Sequence, residues 1–248
     1  MPDDNLSLLR NSSIFRGLGD ADLNVVLRSS HTSHLKDGSF FFLEGSPAVK
    51  AYVLLAGKVK LFQVTADGQQ VILGYLVPGR VYGIIAILKE VIYPVSAQAV
   101  GQCSAIYWEQ DTLNRLIERY PRIALNAMRI MAGQIREFQN TVRDLSTKRV
   151  EQRIARAILR LARQSGRKVE SGVLIDLPLS RQDLAEMTGT TLYTVSRVLT
   201  EWENQGLVQS KRRQVTILYP HGLVRIAEDL PDQTSGESST VAADICDF

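Results

Sequence analysis

Residues 179–206 read LSRQDLAEMTGTTLYTVSRVLTEWENQG and contain the start and stop signals of two short helices. Ser180, with Asp183 three residues later, matches a capping box, so the first helix begins at this serine. Gly189 ends it, because glycine adopts a positive φ without steric cost. One of the two threonines that follow caps the second helix. The stretch therefore predicts two helices joined by a tight turn.

The second helix of this stretch has two distinct faces. Val195, Leu199 and Trp202 recur at helical spacing and define a buried face. The other face is polar and carries Tyr193, Ser196, Arg197 and Thr200. Such a face can enter the major groove of DNA, where an arginine reads guanine through two hydrogen bonds. The alternative is an ordinary helical hairpin whose polar face is only solvated.

The distribution of charge favours DNA binding over the plain hairpin. The chain of 248 residues has a formal net charge of +3, but residues 147–213 hold 13 Lys and Arg against 7 Asp and Glu. Residues 1–146 hold 15 against 13, and residues 214–248 hold 1 against 6. The basic excess therefore surrounds the two-helix unit, as contact with phosphates requires.

Length and composition restrict the class of protein further. With 45% hydrophobic residues, the chain is long enough to bury a core in each of two domains. No apolar run approaches the ~20 residues that cross a bilayer, and the N-terminus lacks the pattern of a signal peptide. Cys103 and Cys246 are far apart and lack metal-ligand spacing. We therefore expect a cytoplasmic protein with no membrane partner and no cysteine-held metal.

The first half of the chain predicts an antiparallel β domain. Helical patterns up to residue 29 are followed by short β-rich runs that Gly, Asp and Pro separate. The predicted strands are 39–43, 51–55, 59–64, 70–75, 95–100 and 104–108, and the apolar run 81–88 predicts a further core strand. This spacing indicates a closed β-barrel or a jelly-roll-like domain. Such a domain is either a scaffold or a container for one small ligand.

A heptad pattern follows the β domain. Apolar residues recur at intervals of four and three, at Ala124, Met128, Met131, Ile135, Phe138, Val142 and Leu145. This period favours a two-stranded coiled coil and therefore a homodimer. The alternative is a single helix that packs on its own domain. In a dimer, a two-fold axis along the helix places two helical pairs about 34 Å apart, which matches one turn of a palindromic DNA site.

A basic helix follows the heptads. Residues 146–148 suit a hinge, and a helix is predicted over 150–163. Its exposed side carries the row Arg153, Arg156, Arg160 and Arg163. The row is either a solvated face or a set of phosphate contacts, and the neighbouring groove-reading helix favours phosphate contact.

A short hairpin completes the predicted DNA-binding domain. Residues 207–209 and 215–218 predict two strands, and the turn between them contains Arg212 and Arg213. A basic-tipped hairpin beside a helix-turn-helix is a wing whose tip reaches a phosphate. The predicted domains are a sensory β domain (1–120), a dimerisation helix (121–146), a winged helix-turn-helix (147–228) and a disordered acidic tail (229–248).

Four strings carry a resemblance to a known family: EGSPAVKAYVLLAGKVKLF, ADGQQVILGYLVPGRVYG, YPVSAQAV and, most specific, LSRQDLAEMTGTTLYTVSRVLTEWENQGLV. With the long helix between them, they resemble the cyclic-AMP receptor protein and FNR family of bacterial transcription regulators over residues 10–228. The resemblance implies an α+β chain with a cyclic-nucleotide-binding-like jelly roll, a dimerisation helix and a winged helix-turn-helix. It also implies a homodimer whose partners are double-stranded DNA and RNA polymerase.

The same resemblance assigns roles in DNA recognition. The family's base-reading arginine corresponds to Arg197, with Ser196 beside it, whereas the glutamate of many members is replaced by Tyr193. Tyrosine cannot accept a hydrogen bond from cytosine N4 as a carboxylate does, so the resemblance implies a half-site with different discrimination. Arg181 and Thr191 are expected to contact phosphate. The full predicted DNA-binding set is Arg181, Thr191, Tyr193, Thr194, Ser196, Arg197, Thr200, Arg212 and Arg213.

The effector region departs from the members that bind cyclic AMP. Those members hold the ribose with a glutamate and the phosphate with an Arg-Ser pair, whereas here the positions read Ile84 and Tyr93-Pro94. A buried phosphate needs a paired charge, so the sequence disfavours cyclic AMP in that mode. The N-terminal cysteines that hold the iron–sulfur cluster of FNR are missing, which disfavours that cluster. The predicted effector pocket consists of Tyr82, Gly83, Ile84, Tyr93 and Ser96.

Haem stays open as a cofactor. The strings resemble the FNR- and DNR-like branches most, and some members of these sense nitric oxide through haem. His31 and His34 lie near the first strand and can in principle be axial ligands. The alternative for both is an ordinary surface histidine.

Together these features predict a DNA-binding transcription regulator that a small effector, or a redox or gas signal, controls through the β domain. One alternative is an effector-independent dimeric regulator that is controlled by its abundance. A more distant alternative is an enzyme with a regulatory barrel. Against an enzyme stands the lack of a Gly-rich phosphate loop, a metal-ligand cluster, and a Ser, His and Asp arrangement.

Overall fold

A computed structural model describes residues 2–231 of the chain. Its α-helices are α1 (Pro2–Asn11), α2 (Asp20–Arg28), α3 (Gln110–Arg119), α4 (Arg122–Thr147), α5 (Val150–Ser165), α6 (Arg181–Thr188), α7 (Leu192–Asn204) and α8 (Pro220–Glu228). Its strands are β1 (His31–Leu35), β2 (Phe40–Phe42), β3 (Lys50–Val64), β4 (Gln70–Leu76), β5 (Val81–Tyr82), β6 (Ser96–Glu109), β7 (Gly166–Val169), β8 (Gly172–Ile175), β9 (Val208–Lys211) and β10 (Gln214–Ile217). The chain divides into two compact units after Asn140.

The N-terminal unit is built on two long strands, β3 and β6. The first part of β3 pairs with the last part of β6, flanked by β5 and β1. The second part of β3 pairs with the first part of β6, flanked by β4 and β2. Two antiparallel layers therefore share the same two central strands. Of the two predicted options, this arrangement corresponds to the jelly-roll-like domain.

A glycine explains why one strand was predicted as two. Residues 51–55 and 59–64 belong to the single strand β3, and its pairing with β6 shifts register around Gly57, which has a φ of 86°. A Cβ at this position would lie 2.4 Å from the carbonyl oxygen of Gln102 and 2.6 Å from Sγ of Cys103. Only glycine fits so close an approach, and the sequence signal of a turn is therefore a bulge.

Three further strand predictions need correction. The predicted strands 95–100 and 104–108 merge into β6. The apolar run 81–88 is not one strand, because β5 ends after two residues and a 3-10 helix follows at Ile84–Ile87. The edge strand β1 was not predicted, since its residues HTSHL are largely polar and exposed.

The core of the N-terminal unit lies between the strands and the flanking helices. Trp108 of β6 is fully buried, its Nε1 donates to the carbonyl oxygen of Val26 at 2.9 Å, and its ring meets Phe15 edge to face at 5.3 Å. The first turns of α4 join this core through Ile123 and Ala127. Burial of each such large side chain contributes about 1.5–3 kcal/mol.

The C-terminal unit is a winged helix-turn-helix, and the α+β fold class is confirmed. Helix α5 is its centre, with Ile154 and Ile158 fully buried. The helices α6 and α7 form the predicted helix-turn-helix, and β9 and β10 form the predicted wing. The elements β7, β8 and α8 were not predicted, and the two strands extend the wing into an antiparallel sheet of order β7-β8-β10-β9. Residues 232–248, most of the predicted acidic tail, lie outside the described residues.

Candidate DNA interface and effector pocket

The helix-turn-helix is held by local caps. Asp183 N–H donates to Ser180 Oγ at 3.0 Å and Ser180 N–H donates to Oδ2 of Asp183 at 2.7 Å, which is the predicted capping box. Gly189 ends α6 with a φ of 60°, and Thr191 Oγ1 accepts from Thr194 N–H at 3.1 Å to begin α7. Each side-chain cap contributes about 1 kcal/mol to the stability of the helix that it begins.

Helix α7 separates its two faces as the sequence predicted. Val195, Leu199 and Trp202 are buried, and Val198 joins them. The predicted polar face is presented to solvent, most of all in the first turn, where the side chain of Tyr193 is 78% exposed. Thr191, Arg197 and Thr200 are also exposed, while Thr194 and Ser196 are half-buried. The side chains proposed to read DNA are therefore accessible in the C-terminal unit.

Two of these arginines are joined to carboxylates that the sequence did not reveal. Arg197 Nη2 lies 3.4 Å from Oε1 of Glu151, in the first turn of α5. Arg181 Nη2 donates to Oγ of Ser210 at 3.0 Å and lies 3.8 Å from Oε2 of Glu203. Glu151 is 46 positions from Arg197, and Ser210 is 29 positions from Arg181, so only tertiary folding brings these groups together.

The wing closes one side of a basic groove. Its tip carries Arg212 and Arg213, both exposed, and Arg213 has a φ of 57° at the turn. The groove has a volume of about 350 Å³ and runs from this tip to the N-terminus of α6, where Ser180 and Arg181 line it. Backbone N–H groups at a helix start and cationic side chains together suit a phosphate.

Two arginines of the basic row on α5 have partners within the C-terminal unit. Arg153 donates to the carbonyl oxygens of Thr188 and Gly189, at 3.0 and 3.3 Å, where α6 ends. Arg156 pairs with Asp144 at 3.1 Å and with Glu228 at 2.8 Å. These two side chains hold helices together within the unit, and their contact with phosphate stays a prediction.

The five residues of the predicted effector pocket all belong to the N-terminal unit. Tyr82, Ile84, Tyr93 and Ser96 are all at least 95% buried. Tyr93 stacks on Phe42 with a centroid distance of 3.9 Å. Its Oη donates to the carbonyl oxygen of Lys50 at 2.7 Å and accepts from the same residue's N–H at 3.0 Å.

Aromatic packing fills the space around this pocket. A Cβ on Gly83, which has a φ of 66°, would lie 2.9 Å from the carbonyl oxygen of Lys50 and 3.3 Å from the ring of Tyr93. Tyr82 stacks on Tyr52 at 5.1 Å, and burial raises the pKa of both hydroxyl groups above the usual value. Tyr82 Oη has no hydrogen-bond partner within residues 2–231. The interior is thus uncharged where the family's nucleotide-binding members place charges.

The two candidate haem ligands do not converge. His31 and His34 are both exposed on β1 and are separated by three positions. Alternate residues of a strand point to opposite faces, so these side chains leave β1 on different sides. Within the described part of the chain, no cluster of three His, Cys, Asp or Glu residues suits a metal ion.

The heptad residues of α4 differ in exposure along the helix. Met131 is half-buried and packs against the N-terminal core. The other predicted dimer contacts are 45–61% exposed and are Met128, Ile135, Phe138, Val142 and Leu145. A Cβ on Gly189 would lie 3.0 Å from Leu145, so this residue also approaches the helix-turn-helix. Among the described helices, none is both long and apolar enough to span a bilayer.

Comparison with known proteins covers both units. A family model of the Crp-like helix-turn-helix domain matches residues 152–226, and a model of the cyclic nucleotide-binding domain matches residues 32–120. The transcriptional activator protein anr of Pseudomonas aeruginosa is 32% identical over 184 residues, covering 74% of this chain and 75% of that protein. The fumarate and nitrate reduction regulatory protein of Escherichia coli is 28% identical, covering 78% and 77%.

Solved structures agree on the fold. FixK2 from Bradyrhizobium japonicum superposes with a TM-score of 0.70 at 24% identity, covering 83% of this chain and 99% of that chain. The catabolite activator protein of Thermus thermophilus superposes with a TM-score of 0.52 at 29% identity, covering 89% and 100%. The β domain, the long helix and the winged helix-turn-helix therefore occur together in solved proteins.

Proposed function

The chain belongs to the CRP/FNR family of transcriptional regulators, and from this premise we propose that it binds a palindromic DNA site as a homodimer. The observation that carries the proposal is the capped recognition helix α7, which presents Tyr193 and Arg197 to solvent above a buried core. Arg197 reads a guanine, and the wing and the start of α6 hold the flanking phosphates. Such a protein acts in the cytoplasm, recruits or obstructs RNA polymerase, and catalyses no reaction.

The exposed side of α4 supports the homodimer. Ile135 and Phe138 are 59% and 61% exposed, although large apolar side chains are normally buried. They continue a heptad pattern over several turns, which is the pattern that a second copy of the same helix covers. Two-fold symmetry then places two recognition helices on successive half-sites.

The buried aromatic cluster around Tyr82 supports control by a small uncharged effector or by a redox or gas signal. Tyr82 Oη is buried among aromatic rings without a hydrogen-bond partner in residues 2–231, which costs free energy. A ligand that forms a hydrogen bond with this hydroxyl group would remove that penalty. The opposite candidate is a regulator without an effector. It is favoured by Tyr93, which already occupies the position of the family's phosphate-binding pair and satisfies its own hydroxyl.

DNA recognition is tested with a duplex selected by the purified protein from a randomised pool. Arg197→Ala is expected to weaken binding to the selected duplex by about 1–3 kcal/mol per half-site, because two hydrogen bonds to guanine are lost. Arg115→Ala removes the same charge from the N-terminal unit and should leave the affinity unchanged. Equal affinities of Arg197→Ala and the parent would refute the assignment.

Effector control is tested on the same duplex. We expect the affinity to change when a protein-free cell extract is added and to return after dialysis. An unchanged affinity favours the effector-independent regulator. An absorption spectrum of the freshly purified protein, taken before the titration, detects haem by its Soret band.

A further inference from the structure

The guanidinium group of Arg197 is already engaged before any DNA is present. Its Nη2 lies 3.4 Å from Oε1 of Glu151, and the two side chains are 57% and 41% exposed. Glu151 belongs to the first turn of α5, a helix whose residues Ile154 and Ile158 are fully buried, so this carboxylate stands on a fixed helix. Arg197 precedes the buried Val198 on α7, so both side chains of the pair start from helices that are partly buried.

A second carboxylate is available to Arg197 but is not used. Glu201 lies four residues further along α7, at the spacing where side chains on a helix meet. Its Oε1 instead accepts from Nε2 of Gln205 at 3.4 Å. Arg197 is thus turned across to α5 and away from the C-terminal end of its own helix. This orientation is a property of the fold and not of the recognition helix alone.

We propose that Glu151 is a specificity-determining residue, which positions Arg197 and competes with DNA for it. The inference rests on the proposed role of Arg197 in reading guanine. A guanine offers O6 and N7 together, and two hydrogen bonds replace the contact with Glu151. With any other base, Arg197 gains less and keeps its contact with Glu151. The cost of breaking the pair therefore falls on the correct sequence, and Glu151 limits how strongly the protein prefers that sequence.

The exposure of the pair sets the size of the effect. An exposed ion pair changes an equilibrium constant by up to about fivefold, so DNA can break it without a large penalty. In Glu151→Gln, the competing charge is removed and Arg197 reaches guanine without breaking an ion pair. We expect the ratio of affinities for correct and incorrect duplexes to rise by up to about fivefold per half-site.

The test is a double-mutant cycle on two duplexes, the one selected by the parent and a copy in which the guanine of each half-site is replaced. Glu151→Gln should raise the ratio of the affinity for the selected duplex to the affinity for the replaced duplex, mainly by strengthening binding to the selected duplex. In the Arg197→Ala background, the same substitution should leave the ratio unchanged. Glu170→Gln, an exposed change of equal charge in the turn between β7 and β8, is the control.

Each outcome bears on a distinct claim. If Glu151→Gln shifts both affinities by the same factor, or if Glu170→Gln raises the ratio equally, the carboxylate acts only through general charge and the inference is overturned. If the ratio rises equally with and without Arg197, Glu151 does not act through that arginine, which also overturns the inference. If the parent selects no duplex from the pool, the proposed DNA-binding function fails together with the inference.

Discussion

The interior of the β domain and the proposed DNA-binding side of the winged unit hold their specialised residues in opposite ways. In the β domain, Tyr93 is buried, stacked on a ring and bonded to the backbone at both lone pair and proton. In the winged unit, Arg197 is exposed and has one long contact to a single carboxylate. The buried tyrosine cannot easily give up its partners, whereas the exposed arginine can leave its carboxylate and bind another group. Substitutions should accordingly change stability in the first region and binding in the second.

The largest expected effect is on dimerisation and comes from the exposed apolar side chains of α4. Phe138→Glu should convert a dimer into a monomer and weaken binding to a palindromic duplex by more than about 100-fold. Two buried phenylalanines contribute about 1.5–3 kcal/mol each, and a buried carboxylate adds a further penalty. Light scattering gives the mass, and gel-shift titration gives the affinity.

The neighbouring Gln139 provides the matched control for that experiment. It is exposed beside the heptad stripe, so Gln139→Glu introduces the same charge without removing an apolar side chain. We expect it to stay dimeric. A dimeric Phe138→Glu protein would show that the stripe is covered by something other than a second copy of α4.

Two tyrosines of the pocket sharpen the comparison within the β domain. Tyr93→Phe should lower the free energy of unfolding by about 1–3 kcal/mol, because the backbone N–H and carbonyl of Lys50 both lose a buried partner. Tyr82→Phe should leave stability unchanged or raise it by up to about 1 kcal/mol, because Tyr82 Oη has no partner in residues 2–231. Urea denaturation followed by tyrosine and tryptophan fluorescence compares them, and equal decreases would contradict the assignment.

Local signals in the sequence predicted the parts of the site that are local in structure. The cap at Ser180, the αL glycine at 189 and the buried face of α7 all depend on residues within a few positions of each other. The contact of Arg197 with Glu151 has no such signal, since 46 residues separate the two. At Gly57 the local signal was misleading. The glycine is required by close packing inside one strand, but it was interpreted as a turn between two strands.

The same distinction explains the arginines of α5. Their spacing correctly placed them on one helix, but spacing does not reveal what each side chain meets. Arg153 finds free carbonyl groups at the end of α6, and Arg156 finds two carboxylates. Periodicity predicts that a helix exists, whereas the partner of a long charged side chain depends on which elements pack nearby.

The cap of α6 tests whether a residue with a structural role in the proposed DNA-binding region affects stability more than DNA affinity. Ser180→Ala should lower the free energy of unfolding by about 1 kcal/mol, since Asp183 N–H loses its acceptor. The control is Ser171→Ala, in the exposed turn between β7 and β8, which should have no effect. Calorimetry of both variants measures the difference. A decrease in DNA affinity at unchanged stability would instead assign Ser180 to phosphate binding.

The wing tip gives the smallest expected change in stability and the clearest separation of binding from folding. Arg212 is exposed at the end of the hairpin, so Arg212→Ala should change the free energy of unfolding by less than about 0.5 kcal/mol. The substitution removes one cation per subunit from the phosphate backbone, and the slope of log affinity against log salt should fall by about 1 per subunit. Preference between duplexes should stay the same, because a phosphate carries no base identity.

The control is Lys89→Ala, an exposed change of equal charge in the N-terminal unit, which should leave the salt slope unaltered. An equal decrease of the slope in both variants would mean that the wing acts only through net charge.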